Sequence, residues 1–199
     1  MKRAVLDVSH LPGFAFHHRS IVWWGTMGII VIEGMMFALL ITSYLYLKGR
    51  SPQWPPGVFA PDPLWGTVNL LLLLASALPN HLAKRAAERL DLRGIRLWMS
   101  IALGVALAFN VVRIFEFQSL NVWYDENAYG SIVWMLLGFH TAHILTDFLD
   151  SSVLLVLMFV GPIEESHFVD VAENSMYWYF VVISWLPIYA VIYLVPRFA

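Results

Sequence analysis

The residues able to do chemistry in this chain are few, and most stand where charge is expensive. Glu33 sits in Ile32-Glu33-Gly34-Met35-Met36-Phe37, halfway along an apolar stretch running from Ile21 to Leu47. A carboxylate at that membrane depth costs on the order of 2.5–3.5 kcal/mol, so it should be protonated, paired or turned toward protein. A second group, His140, His143, Asp147 and Asp150, followed by Ser151, recurs at helical spacing in another apolar stretch. At about 100° per residue these fall within roughly 100° of arc, one polar stripe that should face protein. A third group, Asn110, Arg113 and Glu116, lies late in the stretch between them. Arg113 and Glu116 are three apart and can pair along a helix.

Three kinds of chemistry are open to these groups. Imidazole suits zinc, copper or iron, and His140-x-x-His143 beside carboxylates has the elements of a metal site. Zinc hydrolases, however, want His-Glu-x-x-His or a third strong ligand at fixed spacing, and a bis-histidine haem needs facing histidines. The other five histidines, His10, His17, His18, His81 and His167, fall in the segments read below as cytoplasmic. The same residues can instead form a structural hydrogen-bond network, or a network that handles protons. His143 and Asp147 lie close to the depth of Glu33, so a contact between Glu33 and a histidine of the later helix is expected. No glycine-rich phosphate loop, nucleophile elbow or basic nucleic-acid patch is present, and no catalytic centre is evident.

The elements that position these residues are membrane helices. Of 199 residues, 59% are hydrophobic and 13% charged, and the mean hydropathy of +0.68 excludes an ordinary soluble domain. The absence of cysteine excludes disulfides, thiolate metal sites, iron–sulfur clusters and covalent haem attachment within the chain. Apolar runs bounded by polar residues predict five spans, about 20–47, 65–82, 95–118, 129–160 and 175–195, in a single all-α membrane bundle. Pro79 is expected to end the second span and Pro187 to kink the fifth. Lys2, Arg3, Arg19, Lys84, Arg85, Arg89, Arg93 and Arg96 fall on one side, against Lys48, Arg50 and Arg197 on the other. The positive-inside rule then puts the N-terminus in the cytoplasm and the C-terminus outside. The first twenty residues lack an apolar core with a cleavage site, so the first span is read as its own insertion signal.

The ordered residues resemble cytochrome c oxidase subunit III, the haem-copper oxidase subunit III family. Trp23-Trp24-Gly25, Ile32-Glu33-Gly34 with Phe37, and Ser43-Tyr44-Leu45-Tyr46 are similar to the family's third helix. Trp54-Pro55-Pro56 resembles its Trp-Pro-Pro loop, and Asn69 with Leu71, Leu72 and Ser76 its next helix. Ala87-Glu88, the stretch from Gly94 to Trp98, and Glu116 continue the likeness. Ala128-Tyr129-Gly130-Ser131, Gly138-Phe139-His140-Thr141-Ala142-His143 and Tyr177-Trp178-Tyr179-Phe180 with Trp185 complete it. The five spans resemble the short form of the subunit, which lacks two initial helices. Two positions depart from the family pattern: Tyr179 stands where its last helix has a histidine, and Val182 where it has an acid. Asp147 and Asp150 are also unexpected, and one of them is expected to compensate.

The resemblance implies an accessory subunit of a respiratory terminal oxidase in the bacterial inner membrane, with no catalytic centre of its own. It implies haem and copper in partner subunits and none in this chain. It further implies packing against catalytic subunit I, phospholipid in the clefts, and support of proton uptake. On that reading Glu33, His140, His143, Asp147, Arg113 and Glu116 form a buried polar network. The alternatives are an independent proton-conducting transporter, or a subunit-III-like component of nitric oxide reductase or another respiratory complex.

Overall fold

The computed structural model describes residues 15–198. Lys2, Arg3 and His10, used above for orientation and as candidate ligands, lie outside the described residues. Five long helices follow one another: α1 (Ile21–Arg50), α2 (Pro63–Glu88), α3 (Leu92–Gln118), α4 (Ala128–Val160) and α5 (Glu165–Tyr189). All five are long and apolar enough to cross a membrane, α5 together with the turns that extend it to Arg197. There is no strand among the described residues. The chain is an all-helical integral membrane protein.

Helices α1 to α4 each begin where a short polar side chain takes up an orphan N–H. Ser20 accepts from Val22 N–H at 3.2 Å, and Asp62 from Leu64 N–H at 3.0 Å with Pro63 at the first helical position. Asp91 accepts from both Arg93 and Gly94 N–H at 3.1 Å, and Asn127 from Gly130 N–H at 2.8 Å. At the head of α5 the Glu164 N–H donates to the His167 ring at 3.1 Å.

Two stretches differ from expectation. Helix α2 does not stop at Pro79 but runs through it to Glu88, so Lys84 and Arg85 are helical and the link to α3 is only residues 89–91. Side chains around the proline tie its helix to α5: Ser76 Oγ accepts from Trp178 Nε1 at 2.9 Å, and Asn80 Nδ2 donates to the Ser175 carbonyl at 3.0 Å. Neighbouring helices can satisfy a proline inside a membrane helix in this way. Helix α5 also starts ten residues earlier than the apolar pattern suggests, so His167, Asp170 and Glu173 are helical. Pro187 is accommodated within it, and the backbone then widens into a π turn over Ala190–Leu194.

Helix α2 packs along α3 and α5, α4 packs on α3 and α5, and α1 lies chiefly against α4 and α5. The main core joins Leu73, Phe109, Leu136, Val181 and Trp185, while a smaller one under the α2–α3 turn is built on Ala83, Ala87, Ile95, Met99 and Met158. Helix α1 buries only Phe37 and Tyr44. Its far end is pinned by the following loop, where Trp54 Nε1 donates to the Tyr44 hydroxyl at 2.9 Å and the Trp54 ring meets Tyr129 edge-on at 5.0 Å.

Candidate functional site

The polar residues expected to form one network are divided by the fold into three clusters at different levels. The first surrounds Arg113 and Glu116 on α3, which are 1% and 0% exposed. Arg113 Nη1 lies 2.8 Å from Glu116 Oε2, and Asn69 of α2 donates to the same oxygen. Tyr193, carried inward on the π turn, donates to Glu116 Oε1 at 2.6 Å. Arg113 Nη2 is 3.1 Å from His140 Nδ1, and His140 Nε2 is 3.0 Å from the Val181 carbonyl. A guanidinium only donates and a carbonyl only accepts, so His140 is the neutral tautomer with its proton on Nε2. The cation is also sandwiched by rings, 4.6 Å from Phe109 and 4.2 Å from Trp185. The cluster is therefore charge-balanced and links four helices.

Close approach at α2 makes this cluster possible. A Cβ on Gly66 would stand 2.4 Å from Tyr193 Cε2, so only glycine lets the tyrosine ring cross α2 to reach Glu116. Arg113 Nε, Asn69 Oδ1 and Trp185 Nε1 are buried there with no hydrogen-bond partner among the described residues.

The second cluster holds Glu33. His143 Nε2 lies 3.3 Å from Glu33 Oε1, and Tyr177 of α5 donates to Glu33 Oε2 at 2.7 Å. His143 Nδ1 is 2.6 Å from the Phe139 carbonyl, so that nitrogen carries a hydrogen and Nε2 faces the carboxyl. Phe37 closes the pair from one side, 5.2 Å from the His143 ring.

The third cluster is Asp147, Asp150 and Ser151 of α4 with Asn174 of α5. Asn174 Nδ2 donates to Asp147 Oδ1 at 3.3 Å and to Asp150 Oδ2 at 3.1 Å, while Ser151 donates to Asn174 Oδ1 at 3.0 Å. Among the described residues no three His, Asp or Glu side chains gather as a metal-binding group.

Glu33 and His143 thus meet across α1 and α4, whereas His140, one turn away on the same helix, turns inward to Arg113. Arg113 and Glu116 pair inside the bundle, not on the helix surface. Asp147 contacts neither cluster through a hydrogen bond. Sequence reading missed Tyr193, Asn174 and the role of Tyr177; only Tyr177 carried a signal, its place in the Tyr-Trp-Tyr-Phe run. The two departures also have places: Tyr179 hydroxyl is 2.9 Å from His81 Nδ1, and Val182 is buried in the main core.

Fold and site together define a membrane helix bundle with three polar clusters in its interior, two of them built on ion pairs closed within the chain. The sequence profile of cytochrome c oxidase subunit III matches residues 6–196, nearly the whole chain. It is 26% identical to cytochrome c oxidase subunit 3 of Thermostichus vulcanus over 190 residues, covering 92% of each protein. It is 27% identical to the subunit 3 of a Synechocystis strain over 194 residues, covering 95% of this chain and 83% of that one. The corresponding protein of Corynebacterium diphtheriae is 26% identical over 187 residues, with 91% of each covered. The chain belongs to the cytochrome c oxidase subunit III family.

Proposed function

We propose that this chain is a non-catalytic accessory subunit of a respiratory haem-copper terminal oxidase in the bacterial inner membrane, its N-terminus cytoplasmic. The observation that carries this reading is the match in order to the subunit III family over residues 6–196. The geometry supports it: Arg113, Glu116 and His140 lock helices to one another, and Glu33, His143 and Tyr177 fasten α1 to the rest. Such contacts hold a scaffold in shape. Haem and copper belong to the partner subunits, and the broad apolar outer faces of α1 and α3 serve the catalytic subunit and phospholipid.

Support of proton uptake is the finer part of the proposal. Glu164, Glu165, His167, Asp170 and Glu173 crowd the start of α5, on the side assigned to the cytoplasm. A surface bearing several acids and an imidazole can pass protons to a neighbouring uptake site. Replacing these acids and His167 by neutral residues is expected to slow proton uptake by the whole complex; unchanged pumping at alkaline pH would remove this role. The main reading is tested by purifying the tagged chain from native membranes in mild detergent. Haem-copper subunits and their absorption bands should accompany it, and their absence would refute the assignment.

A further inference from the structure

Between α1, α4 and α5 opens a cleft of about 500 Å³. On α1 it runs from Val22 to Glu33, eleven residues or about 16 Å at helical rise. Its walls include the apolar Val22, Ile29 and Leu154, yet five carboxylates also line it: Glu33, Asp147, Asp150, Asp170 and Glu173. No Lys or Arg is among the lining residues that the structure describes. Glu33 is matched by His143. Of the other four, Asp147 and Asp150 accept from the Asn174 amide, and the Asp170 and Glu173 side chains take part in no hydrogen bond among the described residues. Lys84 acts on Glu173 and His167 on Asp170 from outside the lining, neither within ion-pair distance.

The acids are arranged as two like-charged pairs three apart, Asp147 with Asp150 on α4 and Asp170 with Glu173 on α5, a spacing that places side chains side by side. Like charges so placed repel; Asp150 is exposed and Asp170 half-buried, while Asp147 and Glu173 are enclosed. Glu173 is 5% exposed and takes part in no hydrogen bond or ion pair among the described residues; Asp147 is 3% exposed and its Oδ2 has no partner there. Buried carboxyl oxygens left in this state call for a hydrogen-bond donor, which a cation of a partner can supply. No metal-binding group of three ligands is gathered among the described residues. A lone ammonium ion would answer one pair of acids and leave the pair on the other helix unanswered.

We propose that this cleft is the docking groove for a segment of a neighbouring oxidase subunit bearing at least two Lys or Arg side chains one helical turn apart. The cations pair with Asp147–Asp150 and Asp170–Glu173, and the apolar flanks of the segment cover Val22, Ile29 and Leu154. Arginine is well suited, since its planar fork meets a carboxylate with two parallel hydrogen bonds. The inference rests on the accessory-subunit reading and adds to it the place and chemistry of one contact.

The chain has no cysteine, so a Thr26→Cys variant places one unique thiol in the cleft wall. Labelled with a benzophenone maleimide and irradiated in the assembled oxidase, it should form an adduct with a peptide of another subunit that carries the paired basic residues. In parallel, the Asp150→Asn/Glu173→Gln variant should lose that subunit at least about tenfold faster in rising detergent, because removing one side of a buried charge pair acts on dissociation. Adducts with lipid alone, or with a peptide lacking basic residues, overturn the proposal, as does unchanged subunit retention. If the unmodified chain purifies without any haem-copper subunit, the accessory reading falls and this inference with it. If it co-purifies but no adduct forms at Thr26→Cys, only the docking groove falls.

Discussion

At the scale of single residues, the buried ion pair and the membrane carboxylate are different kinds of feature. Arg113 and Glu116 are wholly enclosed, and removing either leaves the other charged group without compensation. Arg113→Met is expected to destabilise the chain by about 3–5 kcal/mol, read as a fall in the thermal unfolding midpoint in detergent. The double variant Arg113→Met/Glu116→Gln should recover part of that loss, since the new amide is uncharged and its oxygen can still accept from Tyr193. Glu33 is only partly enclosed, and a glutamine there keeps an acceptor for Tyr177. Glu33→Gln should therefore cost only about 1 kcal/mol. Its larger effect is expected in the assembled oxidase, as faster loss of activity during turnover. If neither assembly nor turnover lifetime changes, Glu33 is a packing residue and no more.

At the scale of elements, helix ends and close approaches decide how the bundle is assembled. The approach of Tyr193 to α2 tolerates no side chain at residue 66, and Gly66→Ala should lower stability by about 1–3 kcal/mol through overpacking. A Tyr193→Phe variant separates the two effects, because it keeps the ring and removes only the bond to Glu116, at a cost of about 1–3 kcal/mol. Both are measured by thermal unfolding of the purified chain. At α4, Asn127 caps the helix while Gly130 lies against the Trp123 carbonyl, so the loop folds back tightly over the helix start. Asn127→Ala removes the cap and should cost about 1 kcal/mol. The α2 helix shows how tertiary contacts override a local rule: Pro79 is a breaker by its own chemistry, yet Trp178 and the Ser175 carbonyl engage the polar side chains around it.

At the scale of the molecule, α1 lies on the side of the body formed by α2 to α5, seated by Phe37 in the main core and fastened by two polar or aromatic attachments. One is Glu33 with His143 and Tyr177; the other is Tyr44 with Trp54 and Tyr129. Between and around them α1 leaves Ile29, Val31, Ile32, Met35 and Leu39 exposed. Cutting the first attachment should loosen α1 while sparing the rest. In Glu33→Gln/Tyr177→Phe, spin labels on Gly28→Cys of α1 and Val153→Cys of α4 are expected to show a broadened distance distribution. Labels on exposed positions of α2 and α3, such as Leu78→Cys and Leu97→Cys, should keep theirs. Equal broadening of both pairs would show the bundle responding as one body.

The all-helical class, the five spans and the expensive carboxylate were legible in the chain because they are local: hydropathy over about 20 residues and one charge within it suffice to state them. The Glu33–His143 contact was legible to the same extent, since matching depth on two helices limits the partners. The division into three clusters was not. His140 and His143 are three residues apart, and only the rotation of α4 against α3 and α1 sends one to Arg113 and the other to Glu33. Tyr193 and Asn174 are unremarkable as sequence and acquire partners when a π turn and a helix crossing bring them to Glu116, Asp147 and Asp150. Hydropathy and charge along a helix are properties of the chain; which face meets which neighbour is settled by packing among helices, which depends on all of them together.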